Sequence, residues 1–186
     1  MIPTTIIDNV LPQSLADDFE NLMGADIFPW FFISDITYGR EKRDTAIPGH
    51  QHCYYNPDEG VTSNFFNTIA VIPTIVFDKL DYKSRPNIIR AKAFMQMPLI
   101  RPEGYLHNNC HTDIPMPHIV CLYYVNDADG DTFIYDQYNK KLTQQITPKK
   151  NRVVVFDGSI YHASSLPTKN KRIILNFNVA PSVLDK

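Results

Sequence analysis

The pattern of apolar and polar positions changes character near residue 85. Before that point the period is helical. Pro12, suited to a first helical turn, opens a helix on which Leu15, Phe19 and Leu22 share one face, and Gly24 closes it. Ser63 is placed to cap a second helix reaching Leu80, with Phe66, Ile69, Pro73, Val76, Phe77 and Leu80 on one side and a kink expected at Pro73. A short strand is expected over residues 4–8, and the aromatic stretch 27–34, containing Pro29, Trp30, Phe31 and Phe32, reads as extended and buried. From Asn87 onward alternation takes over, predicting strands at 88–97, 118–125, 132–135, 142–146, 152–156 and 172–179, with a turn at 126–131.

Two helices followed by a run of strands, with no internal repeat, predict a mainly β protein with flanking helices (α+β), the helices packed on one face of a β-sandwich. The specific expectation is a double-stranded β-helix, the cupin-like jelly roll that leaves a ligand cavity between its sheets. It would form one domain over 1–186, with helical support over about 1–85 and the jelly-roll core over about 86–180. Strand parity divides the last strand into two faces. Arg172, Ile174, Asn176 and Asn178 form a mixed face, suited to a pocket, while Ile173, Leu175, Phe177 and Val179 form a wholly apolar one. By the same rule Val120, Leu122 and Tyr124 share a face, which would bring a phenol to the end of an apolar pocket.

Residues 35–60 break the pattern. They are polar, rich in Gly and Pro and without clear period, as a functional lid would be, yet they hold His50, His52, Tyr54 and Tyr55. These four are candidates for contact with a substrate.

Composition narrows the classes. The chain has 186 residues, 44% hydrophobic and 12% aromatic, and can therefore bury a full core. Net charge is −2 and the densest basic run, Lys149-Lys150-Asn151-Arg152, reads as a solvated turn, so no nucleic-acid partner is expected. Cys53, Cys110 and Cys121 are odd in number and irregularly spaced, which argues against a disulfide framework and for a reducing interior. The first residues carry no signal-peptide pattern and no apolar run nears the ~20 residues of a spanning helix. A cytoplasmic protein, in a bacterium or a phage-infected host, with no membrane partner is the expectation.

The chemistry concentrates in His111-Thr112-Asp113, His162 and Arg172. Two imidazoles and a carboxylate can take one face of a six-coordinate Fe(II), leaving the opposite positions for a chelating co-substrate and O₂. An arginine can then hold that co-substrate's far carboxylate with two parallel hydrogen bonds. Each residue alone carries little weight, since a lone histidine is more often structural. Their position at the ends of successive strands is what gives them force. Cys110, next to His111, would point to the opposite face of a strand, and His118 reads as a strand-entry residue.

In order and spacing, His111-Thr-Asp113, Cys121-Leu-Tyr-Tyr124-Val-Asn126, Asp129-Gly-Asp-Thr132, Ile146-Thr-Pro148, Arg152-Val-Val-Val-Phe156, His162 and Arg172 resemble the Fe(II)/2-oxoglutarate-dependent dioxygenases. The similarity is to the prolyl 4-hydroxylase-like branch, including small phage and bacterial members, and spans residues 105–179. It implies that His111, Asp113 and His162 hold the iron and that Arg172 and Tyr124 bind the C5 carboxylate of 2-oxoglutarate. Two positions depart from the family pattern. The usual Gly-Gly-Glu-Thr turn is Asp129-Gly130-Asp131-Thr132, and the aromatic that some members carry six residues after the arginine is Asn178, here a candidate substrate contact.

The implied reaction couples oxidative decarboxylation of 2-oxoglutarate by O₂, with ascorbate as an optional reductant, to hydroxylation of an unactivated C–H bond. The implied substrate is a prolyl residue in a protein or peptide. A free amino acid or small metabolite is the alternative, as is a non-catalytic cupin-like binding module on the same fold. A three-histidine cupin site drawn from His107, His111 and His162 is the nearest rival to the metal set, although Pro115 and Pro117 deny the segment the helix that i,i+4 spacing would need.

Overall fold

The computed structural model describes residues 2–36, 47–101, 103–136 and 141–184. Its strands are β1 (Thr5–Ile7), β2 (Phe31–Ile33), β3 (Gly49–Asn56), β4 (Gly60–Val61), β5 (Ile88–Gln96), β6 (Ile119–Tyr124), β7 (Thr132–Tyr135), β8 (Leu142–Ile146), β9 (Arg152–Asp157), β10 (His162–Ser164) and β11 (Arg172–Val179). The helices are α1 (Gln13–Gly24), α2 (Phe66–Ile69) and α3 (Val71–Lys79), with a 3₁₀ turn over Pro181–Leu184.

Two antiparallel sheets face each other. The larger runs β1-β9-β6-β11-β5-β3-β2, with β4 added to β3; the smaller runs β10-β7-β8. This is the predicted double-stranded β-helix with helices on one outer face. The parity inferred for β11 is observed. Ile173, Leu175, Phe177 and Val179 join the core with Phe19 and Met23 of α1 and Ile72, Val76 and Phe77 of α3. On the opposite face Ile174 packs with Val120, Leu122 and Tyr124 of β6 and Val154 and Phe156 of β9, between the sheets. All eight residues of β11 are buried, as befits a central strand covered on both faces.

Several expectations are corrected. The second helix is two: α2 ends at Ile69 and α3 starts at Val71. The break falls before Pro73 because proline has no N–H to donate to Ile69, and in the first turn of α3 that absence costs nothing. Ser63 does not cap a long helix; its hydroxyl accepts from the Phe65 N–H at 3.2 Å. The aromatic stretch 27–34 is buried only in part: β2 is an edge strand, leaving Phe31 and Phe32 61% and 68% exposed. Within 35–60, residues 37–46 lie outside the described residues, whereas 49–56 form β3, paired with β5 in the main sheet. That part of the expected lid is therefore scaffold. Gly49 sits where a Cβ would meet the Ile36 side chain at 2.3 Å. The chain before residue 85 supplies four strands to the main sheet as well as the helices.

The basic run at 149–152 is spent locally. Lys150 pairs with Asp17 and Glu20, and Arg152 with Asp8. Asn151, at φ +63°, exchanges two 2.9 Å hydrogen bonds with the backbone of Leu11, tying the turn before β9 to the start of α1. No helix among the described residues is long and apolar enough to cross a membrane.

Candidate functional site

The inner faces of the two sheets enclose a cavity of about 420 Å³, within the range of small-molecule sites. His111 and His162 reach it through one piece of backbone pairing. The His111 N–H donates to the His162 carbonyl at 2.9 Å, and the His162 N–H to the His111 carbonyl at 3.0 Å. This isolated bridge sets side by side two histidines far apart in sequence, with ring centroids 4.6 Å apart. Together with Asp113 they form the one group of three potential metal ligands among the described residues, the ligand atoms all within 4.8 Å of one another.

The ligand orientation is fixed from behind. His111 Nδ1 lies 3.1 Å from the Asn109 carbonyl and His162 Nδ1 3.2 Å from that of Ile160. Carbonyls accept only, so each Nδ1 carries a proton, which leaves Nε2 as the ring atom turned toward Asp113. Nε2 of His162 is 3.7 Å and Nε2 of His111 4.0 Å from the Asp113 carboxylate. Asn176 Nδ2 donates to both oxygens of that carboxylate at 3.2 and 3.0 Å, and Asn178 Nδ2 to one at 2.8 Å. Burial opposes the charge on Asp113 most strongly. The hydrogen bond and charge of His162, with Arg90 and His111, outweigh it and hold the carboxyl well below its usual range. Burial, then the proximity of His162, depresses His111, which favours the neutral, ligating imidazole.

At the other end of the cavity Arg172 is 3% exposed. It donates to the Gly130 carbonyl at 2.7 Å, Gln96 Oε1 at 3.2 Å and Thr132 Oγ1 at 3.0 Å, all neutral acceptors. No carboxylate of the described residues lies within 4.0 Å of it. A buried guanidinium without a counter-charge is costly, so the arrangement fits an incoming anion. Gly130 makes room for it: a Cβ there would stand 2.7 Å from the Ser165 carbonyl and 3.0 Å from Arg172 Cδ. The donor set and the lone arginine together fit a divalent metal with a dicarboxylate co-substrate.

The remaining sequence candidates are placed differently. Tyr124 is fully buried and its hydroxyl donates to Thr132 Oγ1 at 2.7 Å, with Arg172 5.7 Å from its ring centre; it reaches the cavity wall through Thr132. Asn178 backs Asp113. His50, His52 and Tyr55 lie on the helix side of β3, because they register with Met95, Ala93 and Ala91 of β5, whose side chains face the helices; Tyr54, at the register shift, joins the same core. His52 bonds Pro29 and Ser63, Tyr54 is in the core, and Tyr55 packs on Phe66. They do not line the cavity. His107 bonds Tyr135 and the Asn108 carbonyl, apart from the ligand group. His118 rests against Gly158, where a Cβ would meet its ring at 2.3 Å, and Cys110 is exposed.

Sequence reading missed Arg90, Lys92, Gln96 and Thr132 on the cavity wall and Asn176 as a partner of Asp113. The signal existed in β5: Ala91 and Ala93 alternate with Arg90, Lys92, Phe94 and Gln96, small apolar outward and large functional inward.

No family model matches the chain, and no curated protein is similar to it in sequence. Solved structures share its fold. An oxidoreductase of the 2OG-Fe(II) oxygenase family from Burkholderia pseudomallei superposes with a TM-score of 0.73 at 11% identity, over 95% of this chain and 84% of that one. A prolyl hydroxylase from Trichoplax adhaerens, in complex with a hypoxia inducible factor oxygen degradation domain peptide fragment, gives 0.59 at 17% identity, over 98% and 87%. HygX from Streptomyces hygroscopicus, with nickel, 2-oxoglutarate and hygromycin B bound, gives 0.58 at 11% identity, over 96% and 83%. The fold is therefore the double-stranded β-helix found in 2-oxoglutarate oxygenases.

Proposed function

We propose that the protein is an Fe(II)- and 2-oxoglutarate-dependent oxygenase that hydroxylates an unactivated C–H bond, with a prolyl residue of a protein or peptide as the leading substrate. The observation that carries this reading is the pairing, in one cavity, of a His-Asp-His group whose ligand atoms lie within 4.8 Å with a buried arginine whose hydrogen-bond partners among the described residues are all neutral. The group bound there would couple decarboxylation of 2-oxoglutarate to insertion of one oxygen atom of O₂ into the substrate C–H bond.

The chain's own work is positional. His111 and His162 would offer Nε2 to the metal, and Asp113, fixed by Asn176 and Asn178, one carboxylate oxygen. Arg172 would clamp the far carboxylate of 2-oxoglutarate. The Thr132 oxygen already accepts from Tyr124 and Arg172, so its own proton is free for that carboxylate. Between the two ends Phe94, Leu122 and Ile174 form an apolar belt that excludes water and orients the co-substrate along the cavity. Small-molecule substrates remain the second reading because HygX, with the same fold, holds hygromycin B.

Anaerobic reconstitution tests the proposal. One equivalent of Fe(II) should bind, and 2-oxoglutarate should then produce a visible charge-transfer band, which requires the ketone to chelate the iron. A featureless spectrum with iron present by metal analysis refutes it.

A further inference from the structure

The cavity has a second cationic end that the co-substrate reading does not use. Across the pairing of β11 with β5, Arg172 stands opposite Gln96, Ile174 opposite Phe94, Asn176 opposite Lys92 and Asn178 opposite Arg90. All of these β5 residues line the cavity. Residues on one face of a strand repeat every ~7 Å, so Lys92 lies roughly 13 Å along the wall from the level of Arg172, beyond the apolar belt. Among the described residues the cavity is lined by three cations, Arg90, Lys92 and Arg172, and one carboxylate, Asp113. A divalent metal and dianionic 2-oxoglutarate cancel each other, so the loaded cavity keeps an excess of positive charge at the Arg90–Lys92 end.

Neutralising Asp113 does not account for both of these residues. Arg90 Nη1 already donates to the Asp113 carbonyl at 3.0 Å and sits 3.9 Å from its carboxylate. Lys92 makes no ion pair or hydrogen bond with any described residue, although it is partly buried beside a guanidinium. Arg90 Nε is also buried without a partner. Desolvation, then the like charge of Arg90, disfavour the charged amine and outweigh the opposing charge of Asp113, so an anion beside it would be stabilising.

We propose that Lys92 and Arg90 form a receptor for a carboxylate or phosphate carried by the substrate, so that the enzyme takes an anionic substrate. This rests on the oxygenase reading for the word substrate, but the anion site can be tested without metal or turnover. In metal-free Arg172→Met protein, where the far end can no longer hold an anion, inorganic phosphate and acetate are titrated in separate calorimetric experiments. One saturable anion site is expected, and the stronger of the two probes identifies the anion preferred. Adding Lys92→Met should weaken it at least tenfold, Lys92→Gln should do the same, and Lys92→Arg should retain it, each with an unchanged unfolding temperature. Absence of a site in Arg172→Met protein, or an affinity that neither Lys92→Met nor Lys92→Gln lowers, overturns the proposal. The two readings fail separately: a charge-transfer band without the phosphate or acetate site defeats the receptor alone, and the anion site without the band defeats the oxygenase assignment alone.

Discussion

Replacing Arg172 by methionine separates co-substrate binding from metal binding, because the structure gives the arginine no contact with a metal-ligand candidate. It touches Gly130, Gln96 and Thr132, while Asp113 is held independently by Asn176 and Asn178. Among the described residues the guanidinium meets no carboxylate, so the anionic partner lost on substitution is the proposed co-substrate. Truncating one member of a buried, hydrogen-bonded charge pair costs about 2–5 kcal/mol. At about 1.4 kcal/mol per tenfold, 2-oxoglutarate affinity should fall roughly 30- to several-thousand-fold. Methionine fills much of the vacated volume, and the three acceptors left behind are neutral, which confines the damage to the anion site. The assay is a 2-oxoglutarate titration of the anaerobic Fe(II) protein followed by its charge-transfer absorption, with iron stoichiometry measured in parallel. An unchanged midpoint in Arg172→Met, with iron still bound, refutes the clamp and with it the orientation of the co-substrate along β11.

Thr132→Val keeps the shape but removes the hydroxyl that Tyr124 and Arg172 share; 2-oxoglutarate affinity should fall by about 1.5–3 kcal/mol, the worth of a hydrogen bond to a charged group, and the same titration reads it. Asn178→Leu removes the 2.8 Å donor to Asp113, so metal affinity, measured by competition with a chelating dye, should weaken on the order of 10–100-fold as for other residues that orient a ligand. Asp129 gives a pH prediction. Burial works against its charge, but the Thr168 hydroxyl and the Thr168 and Lys169 backbone N–H groups hold its pKa at about 2. A carboxylate lowered on folding stabilises above its unfolded pKa and loses that contribution as pH falls from near 4 toward 2. Asp129→Asn should therefore show a smaller drop in unfolding free energy across that window, measured by urea denaturation, and equal drops would dismiss the role.

What was legible in the sequence follows from period and burial. The face of β11 could be assigned because both of its faces are buried and one is uniformly apolar, leaving Arg172 and two asparagines on the other. The same reasoning failed on β3. Its helix-facing side is carried by His50, His52 and Tyr54 against Gln51 and Cys53, and histidine counts as polar in a hydrophobic pattern although His52, like Tyr54, is almost wholly buried. Histidine can satisfy both ring nitrogens in a core, as His52 does with Pro29 and Ser63, and then behaves as an aromatic packing residue. Of the metal-ligand candidates only His162 stands on a strand, β10; His111 and Asp113 lie outside the strands, so the expectation of ligands at strand ends held for one of the three, and the others were legible from residue type and spacing alone. The backbone bridge that joins His111 to His162 pairs residues distant in sequence, and no local pattern encodes it. The residues around the ligands were hidden for a related reason: Gln96, Thr132 and Asn176 owe their roles to partners on other strands. Yet β5, read by parity, already displayed Arg90 and Lys92 on the inward face, and it is the pairing of β5 with β11 that turns this local alternation into a cavity with a cationic group at each end. If 2-oxoglutarate takes the Arg172 end as proposed, Lys92 and Arg90 are left to face the substrate, and the proposed receptor then sits on the wall opposite Asn176 and Asn178, on a strand of the main sheet.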